Sequence, residues 1–336
     1  MRRGIGILSV IVALGLLIGF PPPMASAKGK KLRVAMLIPG EIDDGGFMEA
    51  GYNGLLKIKN ELGAKVKYID RVEPVHEDLT RALRKLAKKK PHLLIAHGGQ
   101  TAAAAQEVAP EFPRVKFVVV QGGVFGDNLS SYEILQEQSA WLAGAAAGLL
   151  TTTDVVGHIS GIRVKPGLKG RAAFFHGLTH TNPGARYLTT FAGDQDDTAL
   201  AYNVASAQIN EGADIIFTML NAGRTGAIDA CREFGAFQIG NVRDWYEVAP
   251  DVFVASAIAN VSMAGFLAAQ DFLAGNLETG RIVKIGLENP EAVRLALTPD
   301  TPAYVVDTIN ELSAMIASGE IVVSTEYDGE EFIVTP

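Results

Sequence analysis

At 336 residues the chain has room for one large domain or for two lobes of ordinary size, either of which can bury a substantial core. A composition that is 48% hydrophobic, 20% charged and 7% aromatic belongs to a globular protein and excludes an intrinsically disordered one. The formal net charge of −7 gives a nucleic-acid-binding role no electrostatic support, so no nucleic-acid partner is expected.

The N-terminus reads as a leader. Arg2 and Arg3 precede an apolar run over 5–20, a break at Pro21, Pro22 and Pro23, and the small residues Ala25, Ser26 and Ala27. That is the layout of an export signal (1–27) cleaved near Ala27. The run is short for a membrane span, which needs about 20 residues. Export to the periplasm is therefore expected, and loss of Arg2 and Arg3 takes the net charge from −7 to −9. No cysteine stands at the cleavage site, so no lipid anchor is expected there. The single cysteine, Cys231, has no disulfide partner and reads as a buried structural thiol.

From Lys31 onward, short apolar runs alternate with segments of helical period. "LRVAMLI" is strand-like and leads into a helix over 47–61. "KVKYID", a helix over 77–88, "HLLIAHG", a helix over 101–109 and "VKFVVVQGG" follow. The basic cluster of Arg81, Arg84, Lys85, Lys88, Lys89 and Lys90 falls on the second of these helices and reads as its solvated face. "SYEILQEQ" is extended and lacks a Pro/Gly/Ser spacer, which suits a hinge crossing between lobes. After a helix near 139–150 the alternation resumes with "VVGHISG", a helix over 169–178, "ARYLTTFAG", a helix over 198–210, "DIIFTML", "FQIGN" and "VFVASAI". Continuous apolar strands separated by helices predict parallel strands covered on both faces, here in two doubly wound α/β lobes. The expected division is 31–137 plus 261–282 for lobe 1 and 138–260 plus 283–336 for lobe 2.

In open α/β sheets the ligand lies beyond the carboxyl ends of the strands. The segments 42–47, 97–100, 121–125, 161–165, 220–224 and 241–245 are therefore the ones to inspect. Of Asp43 and Asp44, one is expected to cap the helix that begins near Phe47, and the other to accept hydrogen bonds from a ligand. Phe47 and Tyr52 lie five apart and do not share a helix face, so one is core and the other offers a cleft ring. Stacking on such a ring contributes about 0.5–1.5 kcal/mol beyond area burial. His97, Gln121, Asn221 and Asp244 are polar candidates at strand ends, and His97 reads equally as a packed histidine.

Metal and enzyme signatures are weak. His176 and His180 stand at i, i+4 without the glutamate of an H-E-x-x-H site, and "GDQDD" over 193–197 is a turn followed by a helix cap. No metal and no cofactor are expected. No G-x-S-x-G elbow, Walker loop or G-x-G-x-x-G fingerprint follows a strand, so the chain is not expected to be an enzyme. "NAGRTG" over 221–226 resembles a phosphate-cradling turn only loosely, and a plain helix start explains it equally well.

"IDDGGFMEAGYNGL", "SAWLAGAAAGLLT", "VVGHISGI", "NEGADIIFTMLNAGRTG" and "FQIGNVRD" together resemble the basic membrane protein family of solute-binding proteins, in that family's order from Lys31 to Val323. The family includes bacterial purine nucleoside receptors that serve ABC importers, and the resemblance implies the type I periplasmic binding fold. It also implies that Asp43, with Asp44 beside it, is the cleft aspartate, that Tyr52 stacks on the purine and that Phe217 is a second aromatic wall. The chain departs from the family where Met48 replaces an Asn and where "IGNVRDW" stands for IGVDSDQ. There Val242 replaces an acid, Asp244 is kept and Trp245 replaces the Gln. Ala259 and Ser262 replace a Lys and an Asp in the crossing "SAIANVSM". Fewer charged partners for ribose hydroxyls predict a flat, less sugar-like solute such as a free purine base, with Trp245 filling the vacated space.

The resemblance thus implies a periplasmic solute-binding protein of an ABC importer. It would bind a flat heterocycle, a purine base or nucleoside-like molecule, between its lobes and deliver it as a monomer to an inner-membrane permease. The alternatives are a ligand-sensing domain that partners a membrane signalling protein, and a secreted nucleoside hydrolase.

Overall fold

The computed structural model describes residues 31–44 and 46–334, so the expected leader over 1–27 lies outside the described residues. In lobe 1, β1 (Arg33–Leu37), β2 (Lys65–Ile69), β3 (Leu93–His97), β4 (Lys116–Val120), β5 (Leu129–Ile134) and β11 (Ile282–Ile285) form a parallel sheet. Its order is β11-β5-β4-β3-β1-β2. Lobe 2 repeats the pattern with β6 (Val155–Ser160), β7 (Arg186–Phe191), β8 (Ile215–Met219), β9 (Phe237–Val242), β10 (Phe253–Ala259) and β12 (Val293–Leu297). The order here is β12-β10-β9-β8-β6-β7. Among the described strands only β12 runs antiparallel to its neighbour, β10. Both sheets have the doubly wound arrangement expected of the type I periplasmic binding fold.

The apolar runs are continuous because both faces of each sheet are covered. Along β1, Val34 and Met36 enter one core while Ala35 and Leu37 enter another. Val118 and Val119 of β4 divide in the same way. On one face α1 (Phe47–Glu61) turns Gly51, Gly54, Leu55 and Ile58 inward and packs against α8 (Ser262–Ala274). A Cβ on Gly54 would stand 2.5 Å from the Ser262 carbonyl oxygen, so only glycine permits this approach. The other face is covered by α2 (His76–Ala87) and α3 (Ala102–Val108).

In lobe 2, α4 (Gln136–Leu150) is apolar almost all round because it lies among β10, β12, α5 (Lys165–Thr181) and α9 (Ala303–Ser318). It meets α5 closely enough that a Cβ on Gly177 would lie 1.8 Å from the Trp141 carbonyl oxygen. The helices α6 (Thr198–Asn210) and α7 (Arg224–Phe234) pack together on the opposite face. Pro166 stands in the first turn of α5, where its missing N–H costs nothing, and the helix starts at Lys165 rather than at the expected 169. The series read from sequence lacks α8, α9, β11 and β12.

The chain passes between lobes at Leu135, between Ala259 and Ser262, and between Ile285 and Val293. Because Ile282–Ile285 pairs with β5, the expected boundary at 282/283 cuts a lobe 1 strand. The crossings are tied to one another. Leu135 N donates to Ile285 O at 2.8 Å, Asn260 N to Ala292 O at 2.8 Å and Leu287 N to Gln138 Oε1 at 2.8 Å. Away from them, every extensively packed pair of elements lies within one lobe. The C-terminal tail lies on lobe 2, where Phe332 N donates to Thr189 O at 2.8 Å and covers the free edge of β7. Glu331 of the tail pairs with Arg163 and Arg171. Among the described residues no helix is long and apolar enough to cross a membrane.

Candidate interlobe binding cleft

Strand order reverses between β1 and β3 in lobe 1 and between β6 and β8 in lobe 2, and ligand crevices open at such points. At the lobe 1 point, the loop after β1 is held by Asp44. Its carboxylate accepts from Gly46 N at 2.8 Å, Glu49 N at 3.0 Å and Met48 N at 3.2 Å, the free N–H groups at the start of α1. Asp44 is thus the cap. Asp43 is exposed and lies 3.8 Å from Arg71, which leaves it the acid not engaged by the start of α1.

Phe47, half-buried, stacks on His97 with ring centroids 4.3 Å apart. His97 is buried beneath α1, where a Cβ on Gly51 would strike its ring at 2.7 Å. Its Nε2–H donates to the Phe47 carbonyl at 2.7 Å, and burial lowers its pKa to about 4. His97 therefore supports Phe47 from below as a neutral ring. Gln121, with φ at 59°, uses both ends of its amide on Ile134, accepting from its N at 2.7 Å and donating to its O at 3.1 Å. It stitches β4 to β5. Tyr52 lies 1.4 turns or so beyond Phe47 by helical geometry (about 3.6 residues per turn) and packs edge-on against Tyr68 of β2, with centroids 5.2 Å apart. Lobe 1 thus brings Asp43, Phe47 and His97 to one strand-end edge, and Tyr52 belongs to the packing of α1 on β2.

On lobe 2, Phe217 is fully buried, stacked on Phe174 at 4.7 Å with the rings 5° from parallel. It is packed in the core and also lines a recess with Gln136, Ser139, Met219, Asn241 and Val242, where the resemblance implies a second aromatic wall. Asn221 is exposed in the loop before α7, its backbone N bonded to Gln195 O at 3.0 Å. The Asp244 carboxylate accepts from Tyr246 N at 3.1 Å. Trp245 is fixed by its indole N–H, which donates to Asn241 O at 2.8 Å, and by its backbone N, which donates to Ser256 Oγ at 3.0 Å. Guanidinium groups of Arg224 and Arg243 each lie 4.2 Å from its ring centroid. The space Trp245 fills is therefore shared with two cations.

Arg224 was not singled out by sequence, since "NAGRTG" reads as a helix start. The residue is 2% exposed, and its guanidinium folds back on the end of β8. It donates to Thr218 O at 2.9 Å, Thr218 Oγ1 at 2.6 Å and Leu220 O at 2.7 Å, and also to Asn241 Oδ1. Burial, and then the field of Arg243, lower its pKa to about 9. The signal available in the sequence was an arginine within a strand-end segment.

Remaining candidates are held structurally. His176 contacts Glu326 O at 2.8 Å and His180 packs against Trp141, so the i, i+4 pair is divided between two partners. Asp197 caps α6 through Leu200 N at 2.9 Å. Cys231 is buried, with its thiol pKa pushed up to about 12 by burial. Among the described residues no group of three metal-ligating side chains comes together. A recess of about 610 Å³ follows α2 from His76 to Lys89, beside Glu107, on the solvated basic face.

Residues 31–325 match the family Bmp, described as ABC transporter substrate-binding protein PnrA-like. The chain is 28% identical over 253 residues to the transcriptional activator protein Med of Bacillus subtilis, covering 75% of this chain and 78% of that protein. It is 25% identical over 316 residues to basic membrane protein B of Borreliella afzelii, covering 90% and 91% of the two chains. A solved solute-binding protein of an ABC transporter system from Aeropyrum pernix shares the fold with a TM-score of 0.71 at 19% identity, over 89% of this chain and 94% of that one. By the extent of the family match, this chain belongs to the Bmp family of PnrA-like ABC transporter substrate-binding proteins.

Proposed function

We propose that the protein is an exported receptor that closes its two lobes on a flat heterocyclic solute, a purine base or a related ring, and delivers it to an ABC permease of the inner membrane. The observation that carries this reading is a pair of doubly wound lobes between which, away from the crossings, no elements pack extensively, in a chain whose family binds transporter substrates. Closure follows from differential affinity: a solute held by both lobes stabilises the closed state, and only by the contacts it gains there. Micromolar affinity requires about 8 kcal/mol. Stacking on Phe47, hydrogen bonds to Asp43, Asn221 and Asp244, and exclusion of water supply interactions of that order. The polar roles sequence gives to Asp44, His97 and Gln121 become positioning roles, because each is engaged with backbone groups of its own lobe.

The test is calorimetry and solution scattering with purine bases and their ribonucleosides. Heat of binding to a base, with a smaller radius of gyration in its presence, supports the reading. Binding of a ribonucleoside far more tightly than its base overturns the free-base assignment. A panel of flat heterocycles that leaves both scattering and thermal midpoint unchanged overturns the flat solute.

A second reading rests on the name of the Bacillus subtilis relative, a transcriptional activator. In that reading the same clamp reports solute status to a signalling partner. Co-purification with a permease from membranes of the source cell, or with a signalling protein, separates the two.

A further inference from the structure

Lobe 2 carries an unbalanced charge at its cleft edge. Arg224, the first residue of α7 after β8, and Arg243, the residue after β9, follow the two central strands of that sheet and stack on the same indole at 4.2 Å each. Neither has a carboxylate partner among the described residues. Asp244, beside Arg243 in sequence, accepts from Tyr246 N, and Asp196 accepts from Ala222 N in the loop before α7. Arg243 is exposed, and its guanidinium makes no hydrogen bond or ion pair among the described residues. The Nε–H of Arg224 is buried without an acceptor, although four other oxygens receive its NH1 and NH2 groups.

A buried cation without a counter-charge is costly, and a second cation across one ring adds repulsion to the lost hydration. Cation–π contact contributes only about 0.5–2 kcal/mol and leaves the charge itself unneutralised. The N-terminus of α7, which begins at Arg224, adds positive potential at the same place. An excess of basic residues does not explain the arrangement, since the whole chain carries a net charge of −7.

We propose that the solute brings the missing charge: it is an anionic flat ring, a heteroaromatic carboxylate or a ring of comparable acidity, received by Arg243 with Arg224 behind it. The inference rests on the reading of the cleft as a site for a planar solute and narrows its chemical class. Closing the lobes removes water from the edge, which strengthens the attraction between the ring's anion and the guanidinium pair.

The experiment is calorimetric titration of the full mature chain with matched pairs that differ by a carboxylate: uracil and orotate, nicotinamide and nicotinate, purine and purine-6-carboxylate. At least one acid is expected to bind ten-fold or more tighter than its neutral partner, with affinity falling as salt rises from 0.05 to 0.5 M. Arg243→Gln, at an exposed side chain, is expected to abolish most of that preference while its circular dichroism and melting midpoint stay those of the parent. Arg224→Lys is the second variant, and it reads whether the inner charge contributes. Equal or tighter binding of the neutral rings, or a preference that Arg243→Gln leaves intact, overturns the inference while the flat-solute reading stands. Failure of both members of every pair to bind overturns the two together.

Discussion

The two cleft edges are built from the same series of strand ends and are left in opposite states. Lobe 1 is closed on itself: Asp44 caps α1, Gln121 joins β4 to β5, and His97 lies neutral under Phe47. Lobe 2 presents two guanidinium groups around Trp245, neither of them in an ion pair among the described residues. The difference teaches where to look for specificity. A lobe whose polar groups are already satisfied supplies shape and rigidity, whereas a lobe with an unmet charge states what its guest must carry.

The lobes also differ in how closely their helices dock, and this gives the largest expected effect. A Cβ at Gly177 would meet the Trp141 carbonyl at 1.8 Å, against 2.5 Å for Gly54 and the Ser262 carbonyl in lobe 1. Both obstacles are backbone, so neither yields by a side-chain rotation. Gly177→Ala is expected to destabilise the protein by about 3 kcal/mol or more, and Gly54→Ala by less. Urea unfolding of the two variants checks the order. A Gly177→Ala variant as stable as the parent would mean that α4 and α5 are not held at this distance.

Each lobe buries one histidine, and acid tests them together. His97 has its pKa lowered to about 4 by burial, and His158 to about 3 by burial and then by Arg171. His158 sits between Thr189 Oγ1 at 2.8 Å and Ser160 Oγ at 2.9 Å, inside lobe 2. Both pKa values are depressed below the ordinary value of 6.5. The unfolded chain therefore binds the protons that the folded chain refuses. Stability is complete above the unfolded pKa and falls as pH drops from 6.5 toward 4, by about 2 kcal/mol for each histidine at pH 4.5. Unfolding free energies at pH 7.5, 6.0, 5.0 and 4.5 should show this slope, and His97→Gln or His158→Gln should each remove about half of it. Variants that retain the full slope would place the acid sensitivity in the carboxylates instead.

The fold was legible because its signals are local. Strands buried on two faces must be apolar throughout, and α1 keeps its inward positions at Gly51, Leu55 and Ile58, so its bounds at Phe47 and Glu61 follow from the pattern alone. The site was legible only as a set of strand ends. Which residue of each end reaches the cleft depends on partners distant in sequence. Phe217 is core because Phe174 of α5 meets its ring, and Tyr52 is packed because Tyr68 of β2 lies beside it. Arg224 could not be read, because its four acceptors come from Thr218, Leu220 and Asn241 as the fold assembles them. The lobe boundary near 282 was missed for a similar reason: a four-residue strand has no periodicity of its own, and β11 is defined by its pairing with β5.

The smallest expected effect separates the adjacent acids at the mouth of lobe 1. Asp44 receives three backbone N–H groups, so Asp44→Ala should cost about 1 kcal/mol, as loss of a helix cap does, and Asp44→Asn should recover part of it because an amide oxygen still accepts. Among the described residues Asp43 has only Arg71, at 3.8 Å, with both side chains well exposed, and Asp43→Ala should leave stability within about 0.5 kcal/mol of the parent. Solute affinity should divide the other way, falling with Asp43→Ala and holding with Asp44→Asn, since the Asp44 carboxylate is already engaged by the N–H groups of α1. Urea midpoints and titration of the same three variants decide it. If Asp43→Ala proves the more destabilising, or Asp44→Asn the more harmful to binding, the two roles are exchanged, and lobe 1 then offers its solute the acid that here closes the helix.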